Sequence, residues 1–256
     1  MAKQGAQHPC SGREQLLGLP LDGLTMAEAV HWCATELARQ QQPDCQRVTA
    51  QIVTLNPEIA WAAEQDPRMR TAITEASLVV PDGMGVVLAA RLKGQAVPQR
   101  VAGFDLMQHL LALAADRGYR VFFLGALPGV AQKAAAAASS QHPGLQVVGT
   151  ADGYFTTADE SACLQRIAEL QIDLLFCALG PPRPAETWIH DHRQELAVGL
   201  AMGVGGSFNI MAGESSRAPY WMQRFGLEWF YRLLKDPKRW RRLMVIPRYL
   251  WLVLWS

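Results

Sequence analysis

The sequence is short of several things, and each absence narrows the field. No Asp-x-Asp occurs anywhere in the 256 residues, so the carboxylate pair that commonly holds a divalent ion on a diphosphate is missing. No Gly-x-Gly-x-x-Gly follows a first strand, and no Gly-x-x-x-x-Gly-Lys-Ser/Thr occurs, which argues against the dinucleotide fingerprint and the P-loop. No Cys-x-x-Cys is present, and the five cysteines are odd in number and scattered. They point to a reducing compartment rather than a disulfide framework. His190 and His192 are two apart, so on a helix they face different ways and make a poor metal pair. The net charge is only +1, which argues against a general nucleic-acid binder. No apolar run reaches the roughly 20 residues of a membrane span. The nearest, Met244 to Trp255, is interrupted by Pro247 and Arg248. Residues 1–15 are polar, carry no apolar h-region and read as a loose tail rather than a secretory signal.

What is present is half apolar, enough for a sizeable core, and it alternates. Helical spacing over Met26 to Arg39 gives way to a β-rich Val48 to Leu55, then to helices over Glu58 to Gln65 and Pro67 to Ala76. Leu78 to Val80 reads as a buried strand, and Phe104 to Arg117 as an amphipathic helix. Val121 to Leu124, Gln146 to Val148, Asp173 to Ala178 and Val198 to Val204 read as further strands. Between them lie helices over Gly129 to Ser139, Ala158 to Leu170 and Ala185 to Glu195. Apolar strands alternating with amphipathic helices predict an α/β, Rossmann-like, largely parallel sheet with helices on both faces. Ligands of such sheets sit at the carboxyl ends of the strands. Residues 16–214 are read as this domain, and 215–256 as a helical C-terminal appendage.

Several strand ends carry polar groups, each with a plainer alternative. Thr54 and Asn56 fall on one side of a strand end and can face one ligand; Asn56 before Pro57 is equally a helix N-cap. Asp82, between Pro81 and Gly83, can act as a general base, and Pro-Asp-Gly is also a common turn. Arg100 can hold a phosphate or lie on the surface. Asp105 can hold a sugar hydroxyl or cap the following helix. Gly205 and Gly206 open a strand-to-helix turn of the kind that binds phosphate through bare N–H groups; the turn from Gly125 to Gly129 is a second of this kind.

The appendage breaks the neutral balance. It holds Arg217, Arg224, Arg232, Lys235, Lys238, Arg239, Arg241, Arg242 and Arg248 against Glu228 and Asp236 alone, with five tryptophans from Trp221 to Trp255. Cations mixed with tryptophan suit the surface of an anionic leaflet. A basic helix packed on its own domain is the alternative.

Taken in order, the motifs resemble the WecB/TagA/CpsF family, glycosyltransferase family 26. The landmarks are Thr54-Leu55-Asn56, Pro81-Asp82-Gly83, Arg100-Val101-Ala102-Gly103, Leu124-Gly125, Gly153-Tyr154-Phe155, Gly203-Val204-Gly205-Gly206, Arg217-Ala218-Pro219 and Glu228-Trp229-Phe230-Tyr231-Arg232. The resemblance implies inverting transfer from a UDP-sugar to a polyprenyl-diphosphate-linked sugar in surface polysaccharide, exopolysaccharide or wall polymer synthesis. It implies no cofactor and no metal, and a peripheral place on the cytoplasmic face of the cell membrane; a homo-oligomer is compatible with it. By the same resemblance Asp82 matches the general base, Thr54, Asn56 and Arg100 match pocket residues, and Arg232, Arg239 and Arg242 match arginines that close over the donor diphosphate. One departure stands out. The family reads Gly-x-Pro-Lys-Gln-Glu-x-Trp where this chain reads Gly180 to Trp188 with one residue more and no glutamine. Either the donor differs from UDP-N-acetylmannosamine, with UDP-glucose or a uronic acid as examples, or Arg183 or Glu186 takes over the glutamine's contact; a changed donor is the expectation. The alternative function is a non-catalytic, membrane-associated nucleotide-sugar-binding protein.

Overall fold

A computed structural model describes residues 13–42, 45, 47–224, 226–235 and 245–255, apart from the side chains at 157, 158, 224, 232, 246, 247, 250 and 254. Its centre is a six-stranded sheet. The strands are β3 (Ala50–Leu55), β4 (Leu78–Pro81), β5 (Arg120–Gly125), β6 (Gln146–Ala151), β7 (Leu174–Ala178) and β8 (Leu200–Gly203). They lie in the order β4-β3-β8-β7-β5-β6 and every pair is parallel. The expected α/β, Rossmann-like architecture is what the chain adopts.

Side-chain alternation along the strands divides the core. Ile52, Val80, Phe123, Phe176 and Met202 enter one buried cluster, whereas Val53, Val79, Phe122, Leu175 and Ala201 enter clusters on the opposite face. Phe122, Phe123 and Phe176 are fully buried, each stabilising the fold by about 1.5–3 kcal/mol through burial. The first face is covered by α1 (Met26–Gln40), α5 (Gly103–Arg117), α6 (Val130–Gln141) and α9 (Ser207–Met211). The other carries α2 (Pro57–Gln65), α3 (Pro67–Thr74), α4 (Met84–Leu92), α7 (Thr157–Glu169) and α8 (Ala185–Leu196). The helix starts are fixed locally. Thr25 and Glu28 form a capping box on α1, and Asn56 caps α2 with Pro57 in the first turn, as that residue pair favours.

Two features add to this architecture. Part of the segment read as a tail is ordered: β1 (Glu14–Leu16) pairs with β2 (Leu19–Leu21) in an antiparallel hairpin. Leu17 and Gly18 both take positive φ at its turn, which matches strand twist. Arg13 pairs with the fully buried Asp22, whose carboxylate also accepts the Val79 N–H at 2.7 Å. The appendage, moreover, is not merely attached. It contains α10 (Tyr220–Arg224), α11 (Glu228–Lys235) and α12 (Val245–Trp255). Gly226 lies directly against Met84 of α4. Tyr249 and Val253 of α12 are buried in the same cluster as Leu16, Leu19 and Leu21 of the hairpin. One face of α12 thus completes the core, while Trp251 and Trp255 on it are exposed.

Candidate active site

A pocket of about 140 Å³ opens at the carboxyl ends of β4, β3 and β8. Thr54 and Asn56 line it from the end of β3, Asp82 from β4, Glu186 from α8, and Gly203 to Ser207 from the β8–α9 turn. Arg217 and Glu228 of the appendage close one side. A second cavity of about 500 Å³, between α9 and α11, shares Gly206, Ile210, Arg217 and Glu228 with it.

Asp82 is held where β4 turns into α4. Its N–H donates to the Leu55 carbonyl at 2.7 Å, and Gly83 follows with φ 89°, a conformation that favours glycine. The carboxylate faces the start of α5: Oδ2 accepts the Gly103 N–H at 3.2 Å. Space beside Gly103 is tight, because a Cβ would lie 3.0 Å from Thr54 Oγ1 and 3.4 Å from Asp82 Oδ2. Arg100 Nε stands 3.8 Å from the other oxygen. A helix N-terminus and a cation therefore both face the carboxylate.

Of the alternatives left open at Asn56, the helix cap is the one observed. Its Oδ1 accepts the Ile59 N–H at 3.0 Å as a cap, which leaves the two Nδ2 hydrogens for a ligand in the pocket it lines. Gly205 and Gly206 have nothing within 4 Å of a built Cβ, so packing does not demand them and their backbone is bare. Gly125 differs: a Cβ would collide with Ala178 of β7 at 2.5 Å, and the turn it opens is not in this pocket.

The structure separates the two candidates for the missing glutamine. Arg183 turns away, stacking over Phe155 at 4.6 Å, donating to its carbonyl at 2.7 Å and lying 3.4 Å from Glu160. Glu186 faces the pocket, its Oε1 only 2.9 Å from where a Cβ on Gly203 would sit. Burial pushes its carboxyl above the ordinary carboxylate range, against the pull of its own backbone N–H. Asp105 is not among the residues that line this pocket; both its oxygens pair with Arg217, at 2.7 and 2.8 Å. Burial opposes the charge on Arg217, yet the bonds and charges of Asp105 and Glu228 outweigh it and raise its pKa. Arg100 backs the pocket rather than lining it. Arg232 lies on α11 with its side chain undescribed, and Arg239 and Arg242 lie outside the described residues. Among the described residues no three His, Cys, Asp or Glu side chains converge as a metal site.

Sequence reasoning named Arg217 and Glu228 only as landmarks. A partial signal was available: Glu228 is one of two acids in a strongly basic appendage, which marks it as unusual without naming its partners.

A sequence profile described as the glycosyl transferase WecG/TagA/CpsF family matches residues 14–256. The chain belongs to this family. The match takes in both the N-terminal hairpin and α12, the two ends that pack together in one core cluster. Relatives similar to it over most of their length include two Bacillus proteins and one from Staphylococcus aureus. The first, from Bacillus subtilis (strain 168), is 38% identical across 80% of this chain and 78% of its own. The second, from Bacillus spizizenii, is 41% identical across 79% and 78%. The third, from Staphylococcus aureus (strain MW2), is 34% identical across 94% and 92%. Each is named an N-acetylglucosaminyldiphosphoundecaprenol N-acetyl-beta-D-mannosaminyltransferase. As a WecG/TagA/CpsF protein the chain is a glycosyltransferase.

Proposed function

We propose that this glycosyltransferase moves a sugar, with inversion and without a metal ion, from a UDP-sugar onto a polyprenyl-diphosphate-linked sugar at the cytoplasmic surface of a membrane. The observation that carries the reading is Asp82, a carboxylate at a strand end facing a pocket with room for about one sugar ring. Asp82 takes the proton from the acceptor hydroxyl, whose oxygen attacks the anomeric carbon. The bond from that carbon to the diphosphate breaks, and UDP leaves with the electron pair. General-base help is worth about 10²- to 10⁴-fold. Stabilising the leaving diphosphate is the larger contribution, and the bare Gly205–Gly206 backbone with Arg232, Arg239 and Arg242 serves it. Thr54, Asn56 and Glu186 hold sugar hydroxyls or an N-acyl group. The relatives' names support a lipid diphosphate as acceptor carrier.

The test is a panel of radiolabelled UDP-sugars offered to the purified protein with a short-chain polyprenyl-diphosphate N-acetylglucosamine. Label should move to the lipid from a donor other than UDP-N-acetylmannosamine, because the Gly180 to Trp188 loop lacks the family's glutamine. Preferred use of UDP-N-acetylmannosamine would overturn that choice of donor, and no transfer from any of them would overturn the proposal. Transfer should also survive EDTA, since arginines and backbone donors take the place of the absent Asp-x-Asp. Loss on chelation with recovery on adding magnesium or manganese would contradict this.

Membrane attachment rests on side chains left in solvent. Trp221, Trp229, Leu234, Trp251 and Trp255 of the appendage and Leu88 and Leu92 of α4 are all exposed. The attachment proposed is interfacial; no helix among the described residues is long and apolar enough to cross a membrane. Deleting α12 is a poor test because it also strips Tyr249 and Val253 from the core. The cleaner variant is Trp251→Ala with Trp255→Ala. It should cut sedimentation with anionic vesicles several-fold while leaving the melting temperature unchanged. Undiminished sedimentation would remove α12 from the membrane contact.

A further inference from the structure

Behind the reactive carboxylate runs a line of five charges of alternating sign: Asp82, Arg100, Glu228, Arg217 and Asp105. Arg100 Nε is 3.8 Å from Asp82, while its Nη2 donates to Glu228 Oε2 at 2.8 Å. The other oxygen of Glu228 is 3.5 Å from Arg217 Nε, and Arg217 is anchored by its two bonds to Asp105 and by stacking over Phe104 at 4.7 Å. Arg100 is only 13% exposed, so water does little to screen its charge. Its cation is thus shared between a pocket carboxylate and an appendage carboxylate, and the appendage has the shorter contact.

We propose that Glu228 is a positioning residue: it holds the Arg100 guanidinium off Asp82, so that the base keeps its proton affinity only while α11 is docked. The inference rests on the reading of Asp82 as the base. With the charge of Glu228 gone, Arg100 is free to close its 3.8 Å gap to Asp82 and form a charge-assisted hydrogen bond. A cation that close favours the carboxylate and makes it a weaker proton acceptor. Loss of a nearby negative charge acts in the same direction. Among the described residues, Arg100 from the loop before α5 lies 3.8 Å from Asp82, and the titratable groups that line the pocket with it are Glu186 from α8 and Arg217 and Glu228 from the appendage. β3, α2 and α9 present only the neutral Thr54, Asn56 and Ser207. Arg217 does not replace Arg100, because Asp105 already engages both of its terminal nitrogens.

The experiment titrates Asp82 directly, by carbon NMR of the full-length protein labelled at the aspartate carboxyl, with Asp82→Asn assigning the resonance. Glu228→Gln keeps an oxygen to accept from Arg100 and removes only the charge. It should lower the Asp82 titration midpoint by about 0.5–1 unit, and the acidic limb of the transfer rate should move the same way. Glu228→Asp, which keeps the charge, should leave the midpoint close to that of the parent protein. An Asp82 midpoint unmoved in Glu228→Gln overturns the proposal even if the rate falls, since a merely structural residue would behave so. If Asp82→Asn stays active, the reading of the base fails instead, and the inference falls with it for that separate reason.

Discussion

Asp82→Asn should lower turnover by at least about 100-fold, the lower end of what a lost general base costs, while UDP binding measured by calorimetry changes little. The amide is chosen because it isolates the proton transfer. Its oxygen still accepts the Gly103 N–H that Oδ2 accepts at 3.2 Å, so the junction of β4 with α5 is kept. Arg100 also keeps its 2.8 Å partner in Glu228, so no buried cation is stranded. What the amide cannot do is accept a proton from the acceptor hydroxyl. Near-parental turnover in a folded variant would remove Asp82 from the chemistry and with it the assignment of this pocket as the reacting centre.

The second large effect is on stability. Gly125→Ala should destabilise the protein by about 2–4 kcal/mol, read from the midpoint of chemical unfolding, or prevent folding outright. Gly125 takes φ 116° where β5 ends. An added Cβ would lie 2.5 Å from the carbonyl carbon and 2.6 Å from the carbonyl oxygen of Ala178. That neighbour is the backbone of the paired strand β7 and cannot step aside. Gly206→Ala is the contrast. Its φ is −79° and a Cβ there meets nothing within 4 Å, so stability should stay within about 0.5 kcal/mol. Turnover should nevertheless fall if the donor diphosphate lies on that backbone. Equal, small effects on stability from both changes would contradict the distinction between a glycine required by packing and one left bare.

These two glycines show how far the sequence could be read. Both stand at strand ends in similar turns, and sequence alone offered both as phosphate sites; the difference lies in whether another strand passes close by, a long-range fact. Strand alternation was readable because burial on both faces leaves continuous apolar runs such as Leu174 to Ala178. Helix α4 carries no such signal. It begins directly after a Pro-Asp-Gly turn, contains Gly85, and presents buried Val86, Val87, Ala89 and Ala90 in a short apolar run without clear amphipathic spacing. The appendage carries features of both readings offered for it. Its tryptophans advertise a surface, yet Tyr249, interleaved with them, is fully buried. Charge composition showed that the stretch was unusual but not that Glu228 would bridge Arg100 and Arg217. In the candidate site, Asp82, Thr54 and Asn56 were legible because each ends a strand. Arg183 and Glu186 could not be told apart until the start of α8 was placed, since they are close in sequence and diverge in direction.

The central claim, a single displacement at the anomeric carbon assisted by Asp82, is tested most directly by the configuration of the product. The lipid-linked disaccharide formed from an α-linked UDP-sugar should be isolated and its anomeric one-bond carbon–hydrogen coupling measured by NMR. A β-linkage in the first-formed product is the predicted result; an α-linkage would require a second displacement or attack from the face the diphosphate leaves, and would contradict the account.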